Sequence, residues 1–393
     1  MSEALAQAAP AAAVQPAGQG GGGRMPLLDA AKGVACLLIV GHHLCRYGPM
    51  PEAAAVLAPR LIGWLGRDGR LAVQVFLVIS GFLAAASLAP EGVLRSRQGF
   101  WQRVWQRYAR LAMPYVAALC VSVLVAAAIR PWFDHEAVPA APVFGQLLAH
   151  GLLLQDLLGY DALSTGVWYV AIDFQLFVLA LAVVMLAQGL QRRWELDAAR
   201  AAWLLAVLVL AMAAASLFAF NLRAELDSTA FYFVGSYGLG MLAFWVGRIE
   251  HPRRYGAALA MLAALGIVAL IWDWRIRIAI ALAMALLLAA GQRRGWLSAP
   301  PAWLAAGPLL WLGRISYSLF LIHFPVILLA NAFMAQLGAH SPAFDLLGML
   351  AALGLAVGAA ALLNRWVESR PASWRLVLSL LLALIAAGML AAR

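Results

Sequence analysis

The chain has 393 residues, of which 64% are apolar and only 12% charged, with a mean hydropathy of +0.85. A soluble domain is typically about 45–50% apolar and about 25% charged, so the composition excludes a water-facing surface and points to lipid as the solvent. The net charge of +10 does not indicate nucleic acid, because the arginines fall in short runs between apolar segments and no recognition motif accompanies them.

Residues 1–23 are mostly Ala, Gly, Pro and Gln. They lack the basic start and compact apolar stretch of a signal peptide, and are expected to form a disordered cytoplasmic tail. Apolar segments long enough to span a bilayer then follow near 27–47, 70–89, 108–130, 166–188, 203–220, 230–248, 256–272, 276–291, 305–333, 344–363 and 374–392. The fold class expected is all-α, a polytopic transmembrane bundle of about ten core helices plus an eleventh at the C-terminus.

Charge sets the orientation. With the N-terminus inside, the connections 90–107, 189–202, 249–255, 292–304 and 364–375 become cytoplasmic, and they hold most of the arginines. The opposite connection 131–165 carries Asp134, Glu136, Asp156 and Asp161 with no Lys or Arg. This is the positive-inside pattern. Residues 143–158 are apolar enough to enter the membrane, but a crossing there would reverse every later loop. They are expected to be re-entrant or interfacial on the outer side. Cys36, Cys45 and Cys120 lie in apolar sequence without disulfide or metal spacing and read as buried small hydrophobes.

Ionisable residues within spans are costly and so mark function. The first span carries Asp29, Lys32, His42, His43 and Arg46. At about 100° per residue, Lys32 and His43 share a face some 16 Å apart, while His42 points about 100° away. A neutral imidazole at His43 could act as a general base, and the same stripe would also serve as a salt-bridge seam between helices. Arg103, Arg107 and Arg110 precede Pro114 and Tyr115. They fit either a topology anchor or a fork that grips phosphates. Trp168, Tyr169, Asp173 and Gln175 in the fourth span, and Ser316, Tyr317 and His323 in the ninth, fit either function or interhelical hydrogen bonding. No phosphate loop, serine elbow, metal-ligand spacing or internal repeat is present.

In order along the chain, these residues carry a resemblance. They are Asp29-Ala-Ala-Lys32-Gly33 with His43, Phe76-Leu-Val-Ile-Ser80-Gly81-Phe82, Phe100, Arg107-Tyr-Ala-Arg110, Trp168-Tyr-Val-Ala-Ile-Asp173-Phe-Gln175-Leu-Phe177, Gly313-Arg314-Ile-Ser316-Tyr317 through His323-Phe-Pro325, and Val367-Glu368-Ser-Arg-Pro371. Together they resemble membrane-bound acyltransferase family 3 in its stand-alone form, without a following hydrolase-like domain. The resemblance implies an acyltransferase transmembrane domain over 24–371, followed by a C-terminal transmembrane helix in 372–393. It implies an O-acetyltransferase that moves an acyl group, usually acetyl, from cytoplasmic acetyl-CoA to a hydroxyl of a cell-envelope carbohydrate or lipid-linked sugar. The expected location is the bacterial inner membrane, multi-pass, with the N-terminus in the cytoplasm.

The same resemblance makes His43 the essential histidine and Lys32 the basic residue eleven before it, with Asp29 on the same stripe as a third catalytic candidate, and Arg107 and Arg110 the coenzyme A site. His42, Trp168, Asp173, Gln175, Tyr317 and His323 are further substrate or structural candidates. Expected partners are the acyl-CoA donor, the sugar acceptor, membrane lipid and a second copy as a homodimer, with no metal and no nucleic acid. Two departures stand out. Lys32 replaces the commoner arginine, and Asp173-Phe174 replaces a pair of glutamates. The alternative class is a transporter or flippase for a glycolipid or small solute, using the same charges as a path.

Overall fold

In lipid, every backbone N–H and C=O must find a partner inside the protein, and a helix supplies all of them within one segment. The computed structural model describes residues 25–94, 98–338 and 341–392. It is helical, with no strand among the described residues. Eleven of the helices described are long and apolar enough to cross a membrane. In chain order they are α1 (Pro26–Arg46), α2 (Val73–Leu88), α3 (Phe100–Ile129), α4 (Val167–Arg193), α5 (Ala198–Phe218), α6 (Ala230–Gly247), α7 (Pro252–Trp272), α8 (Ile276–Arg293), α9 (Ser316–Leu337), α10 (Pro342–Leu363) and α11 (Trp374–Ala391). The protein is an all-α polytopic bundle. The expected tail 1–23, with Arg24, Arg95 and Arg97, lies outside the described residues.

Helix starts follow local chemistry. Proline occupies the first turn of α1, α7 and α10, where its missing N–H costs nothing. Asp197 and Ser341 cap α5 and α10 through the backbone N–H groups of Arg200 and Phe344. Burial separates centre from rim. In α6 78% of the apolar window is inside the protein, and in α9 72%, against 17% in α7 and 28% in α5, α10 and α11. The central helices therefore carry the site, and the rim helices present their apolar sides outward, as a bilayer requires.

Close backbone contact holds the centre together, because small residues let helices approach without clash. A Cβ on Gly81 of α2 would sit 1.9 Å from the Tyr237 carbonyl of α6, and one on Gly240 would sit 2.0 Å from the Val78 carbonyl.

Two expected segments differ from the observed helices. The span near 70–89 begins earlier, since a helix at Pro59–Asp68 and a tight turn at Gly69–Ala72 run into α2. The span 305–333 is two helices, Gly307–Arg314 and α9, broken at Ile315. The Ser316 hydroxyl donates to the Gly313 carbonyl at 2.8 Å, competing with the helical pattern. A Cβ on Gly313 would sit 1.8 Å from the Asp29 carbonyl, so the first piece lies flush against α1. Apolar continuity hides such a break.

The segment 143–158 does not cross. Its helix, Phe144–Gly151, has 8 residues, about 12 Å at 1.5 Å per residue. Beyond it the chain turns back. The Gln146 side-chain amide donates to the Asp161 carbonyl at 2.8 Å, and the Leu163 N–H donates to His150 Nε2 at 3.1 Å. The Gly151 carbonyl accepts from the Tyr108 hydroxyl of α3 at 2.6 Å. Leu147 and Gly151 lean on α11, near Gly388 and Leu381. This is a hairpin inserted between α3 and α11.

Candidate active site

Among the described residues, two polar regions of the bundle hold the residues that the sequence marks for chemistry. The first is at the arginine-rich end of α3. Arg103, Arg107 and Arg110 recur at helical spacing and so share one stripe. With Ser87, Gln106 and Phe177 they line a cavity of about 360 Å³, which Leu88 and Ala372 complete. Arg110 and Gln106 are exposed, and Arg103 is buried. Arg107 forms an ion pair with Asp173 of α4 and lies over the Phe177 ring at 5.3 Å. Asp173 is 3% exposed, and a carboxylate so buried requires such a partner. Arg107 presents five N–H donors in a fixed fork, and Asp173 takes one, through Nη2. The spacing therefore places both named arginines in one cavity. It also explains Asp173, whose partner was not evident from the sequence.

Above the ion pair are hydroxyls and rings. Tyr169 and Tyr237 lie within electrostatic reach of both Asp173 and Arg107. The Tyr169 hydroxyl is 3.4 Å from Ser80 Oγ. The Tyr169 ring meets Phe76 and Phe320 at centroid distances of 6.1 and 5.4 Å, and Phe76 meets Phe320 at 6.3 Å. Phe320 in turn lies 6.2 Å from His323.

The second region is a histidine pair. His43 Nδ1 is 2.7 Å from His323 Nε2, and the rings stack at 4.8 Å with 15° between their planes. His323 is fully buried and His43 is 9% exposed. His42 turns away and meets the Leu65 carbonyl at 3.1 Å, as the rotation of about 100° per residue requires. Asn331 Nδ2 donates to the Tyr47 carbonyl at 3.2 Å and to the Ile327 carbonyl at 3.0 Å, tying the end of α1 to α9.

Other expected residues lie elsewhere. Lys32 pairs with Asp29 at 3.0 Å in the first turns of α1, so neither is brought to His43, some 16 Å along the axis from Lys32. Gln175 accepts from the Ala230 N–H at 3.1 Å and fastens α4 to α6. Trp168 packs on Phe233 at 5.5 Å. Tyr317 donates to the Leu111 carbonyl at 2.9 Å, bracing α9 on α3. Ser87 and Gln106 were not singled out by the sequence, and Phe177 entered only as the last residue of the motif that begins at Trp168. For Gln106 the signal was there, three residues after Arg103 and four before Arg110. No group of three or more His, Cys, Asp or Glu able to hold a metal ion occurs among the described residues.

A family model described as an acyltransferase domain, acyltransferase 3, matches residues 26–362. The chain belongs to the acyltransferase 3 family. It is a membrane acyltransferase with many apolar helices, and both polar regions draw almost all their residues from the matched part. Of the eleven spanning helices described, α11 lies wholly beyond that part. No curated protein and no solved structure matches this acyltransferase.

Proposed function

We propose that the protein transfers an acetyl group from acetyl-CoA, bound at the cytoplasmic end, to a hydroxyl of a cell-envelope carbohydrate or lipid-linked sugar, in the bacterial inner membrane with the N-terminus in the cytoplasm. The observation that carries the reading is the pairing of an arginine-lined cavity with a separate buried histidine pair in one bundle. Three guanidiniums face about 360 Å³ of space, with Asp173 already committed to Arg107. Such a lining favours phosphate-rich ligands, because the arginine fork matches phosphate oxygens.

Arg103, Arg107 and Arg110 would hold the phosphates of the donor. Bound coenzyme A supplies the acyl thioester. His43 takes the acceptor hydroxyl proton as the C–O bond forms, the C–S bond breaks, and the proton passes to the departing sulfur. An acyl-His43 intermediate is the two-step variant of the same chemistry.

The test is incubation of native membranes with radiolabelled acetyl-CoA, followed by extraction of lipid and polysaccharide. Label is expected in one fraction from cells expressing the protein and absent in cells carrying the His43→Ala variant. No label in either fraction from the wild type, with solute export intact, would favour the transporter reading instead.

A further inference from the structure

His323 lies 280 residues from His43 in sequence, yet the two imidazoles touch. The chemistry of this contact follows from its far end. His323 Nδ1 is 3.1 Å from the Leu319 carbonyl. A carbonyl only accepts, so His323 Nδ1 carries the proton. A cationic His323 would then be a fully buried charge whose polar neighbours are a carbonyl and another imidazole, and burying a charge without an ionic partner is strongly unfavourable. His323 is therefore neutral, and its Nε2 holds a lone pair. The 2.7 Å contact needs one proton between two nitrogens, and His43 Nδ1 must supply it. His43 is left with its own lone pair on Nε2.

We propose that His323 is a positioning residue for His43, fixing its tautomer and ring plane so that Nε2 is the atom that accepts the acceptor hydroxyl's proton. This rests on the acyl-transfer reading above. His323 does not touch the reacting atoms in this scheme. The hydroxyl proton moves to His43 Nε2, the His43 Nδ1–H keeps its proton and donates to His323 Nε2 throughout, and the proton on Nε2 leaves for the thiolate as the C–S bond breaks. The second imidazole also supports the transient imidazolium, which a carbonyl acceptor would do less well because it is the weaker base. The rest of the fold serves the contact. Asn331, two turns beyond His323, holds the end of α1 through the Tyr47 carbonyl, and the stacked rings leave His43 little rotation.

The experiment compares His323→Phe with His323→Gln in purified full-length protein in nanodiscs, using labelled acetyl-CoA as donor and extracted native lipid and polysaccharide as the acceptor source. His323→Phe keeps ring shape but offers no acceptor, and its kcat is expected to fall about 10²-fold, inside the range that a positioned base contributes. His323→Gln offers a carbonyl to His43 Nδ1–H and is expected to recover at least tenfold of that loss. KM for acetyl-CoA stays unchanged in both. Equal loss in the two variants, or loss through KM alone, marks His323 as packing and overturns the proposal, as does a fully active His323→Phe.

Nitrogen NMR of histidine-labelled wild-type protein tests the tautomers without substitution. Protonated Nδ1 on both His43 and His323, with unprotonated Nε2 on both, is expected. A protonated His43 Nε2 overturns the proposal even if the variants fail to fold. Inactivity of His323→Phe together with full activity of His43→Ala would instead bring down the acyl-transfer reading that assigns His43 as the base.

Discussion

The arginine cavity and the histidine pair are built by opposite means. The cavity takes its charge from one helix, α3, at a spacing of three and four residues, and it is open enough that Arg110 and Gln106 remain exposed. The histidine pair joins α1 to α9 through a single 2.7 Å contact between residues that are almost wholly buried. An open, redundant set of cations tolerates the loss of one member. A buried pair whose one shared hydrogen bond is backed by a single carbonyl does not. The first is suited to holding a ligand and the second to fixing one proton.

The contrast can be broken most directly at His43. His43→Ala is expected to lower acetyl transfer by about 10²–10⁴-fold, the usual worth of a positioned base, with unchanged coenzyme A binding measured on the same detergent preparation. Weakened binding there would merge the two regions into one. At the cavity, Arg110→Ala should cost one charge-assisted contact, about 1.5–3 kcal/mol, or roughly 10–100-fold in coenzyme A affinity by titration calorimetry. Arg107→Ala combined with Arg110→Ala should bind more weakly still, and it also strands Asp173. Unchanged affinity in both would return the arginines to topology anchors.

Smaller effects test the frame. Gly48 has φ +91°, and a Cβ there would lie 2.0 Å from Asn331 Oδ1. Gly48→Ala should therefore destabilise by about 1–3 kcal/mol, the scale of such backbone strain, seen as a lower thermal midpoint in detergent. It should depress turnover more than donor binding, since it disturbs only the tie between α1 and α9. His42→Ala should be mildest. It loses a hydrogen bond to the Leu65 carbonyl worth about 1 kcal/mol and should leave transfer within about threefold. An inactive His42→Ala would mean that the wrong face of α1 carries the chemistry.

The same contrast governs what could be read from the sequence. Features confined to one helix were legible, because rotation per residue is fixed. His43 and His42 diverge as their spacing demands, and Arg107 and Arg110 share a cavity. The non-crossing segment 143–158 followed from the distribution of charge in the loops. Features that depend on packing were not legible. Asp173 was seen to need a partner and Arg107 to be a cation, but their union depends on how α3 meets α4. The His43–His323 contact depends on where α1 meets α9. Lys32 and Asp29, three residues apart on one helix, form an ion pair that their spacing permits. The break at Ile315 was invisible because hydropathy does not register it, although Gly313 and Ser316 flank it.

The rings of Phe76, Tyr169 and Phe320 have a further consequence. Polar side chains approach from the arginine end as far as Ser80 and Tyr169, and resume at His323. Joined without interruption, they would form a wire for protons and ions through the membrane, and an energised membrane would lose its gradient through every copy. Three mutually touching rings interrupt that wire with apolar surface. Apolar rings oppose a hydrated ion more than the uncharged thioester end of a donor whose phosphates stay at the arginines, as the proposed reaction requires. Under the proposed acyl transfer, such a barrier would admit the uncharged end of a donor while opposing the leak of ions.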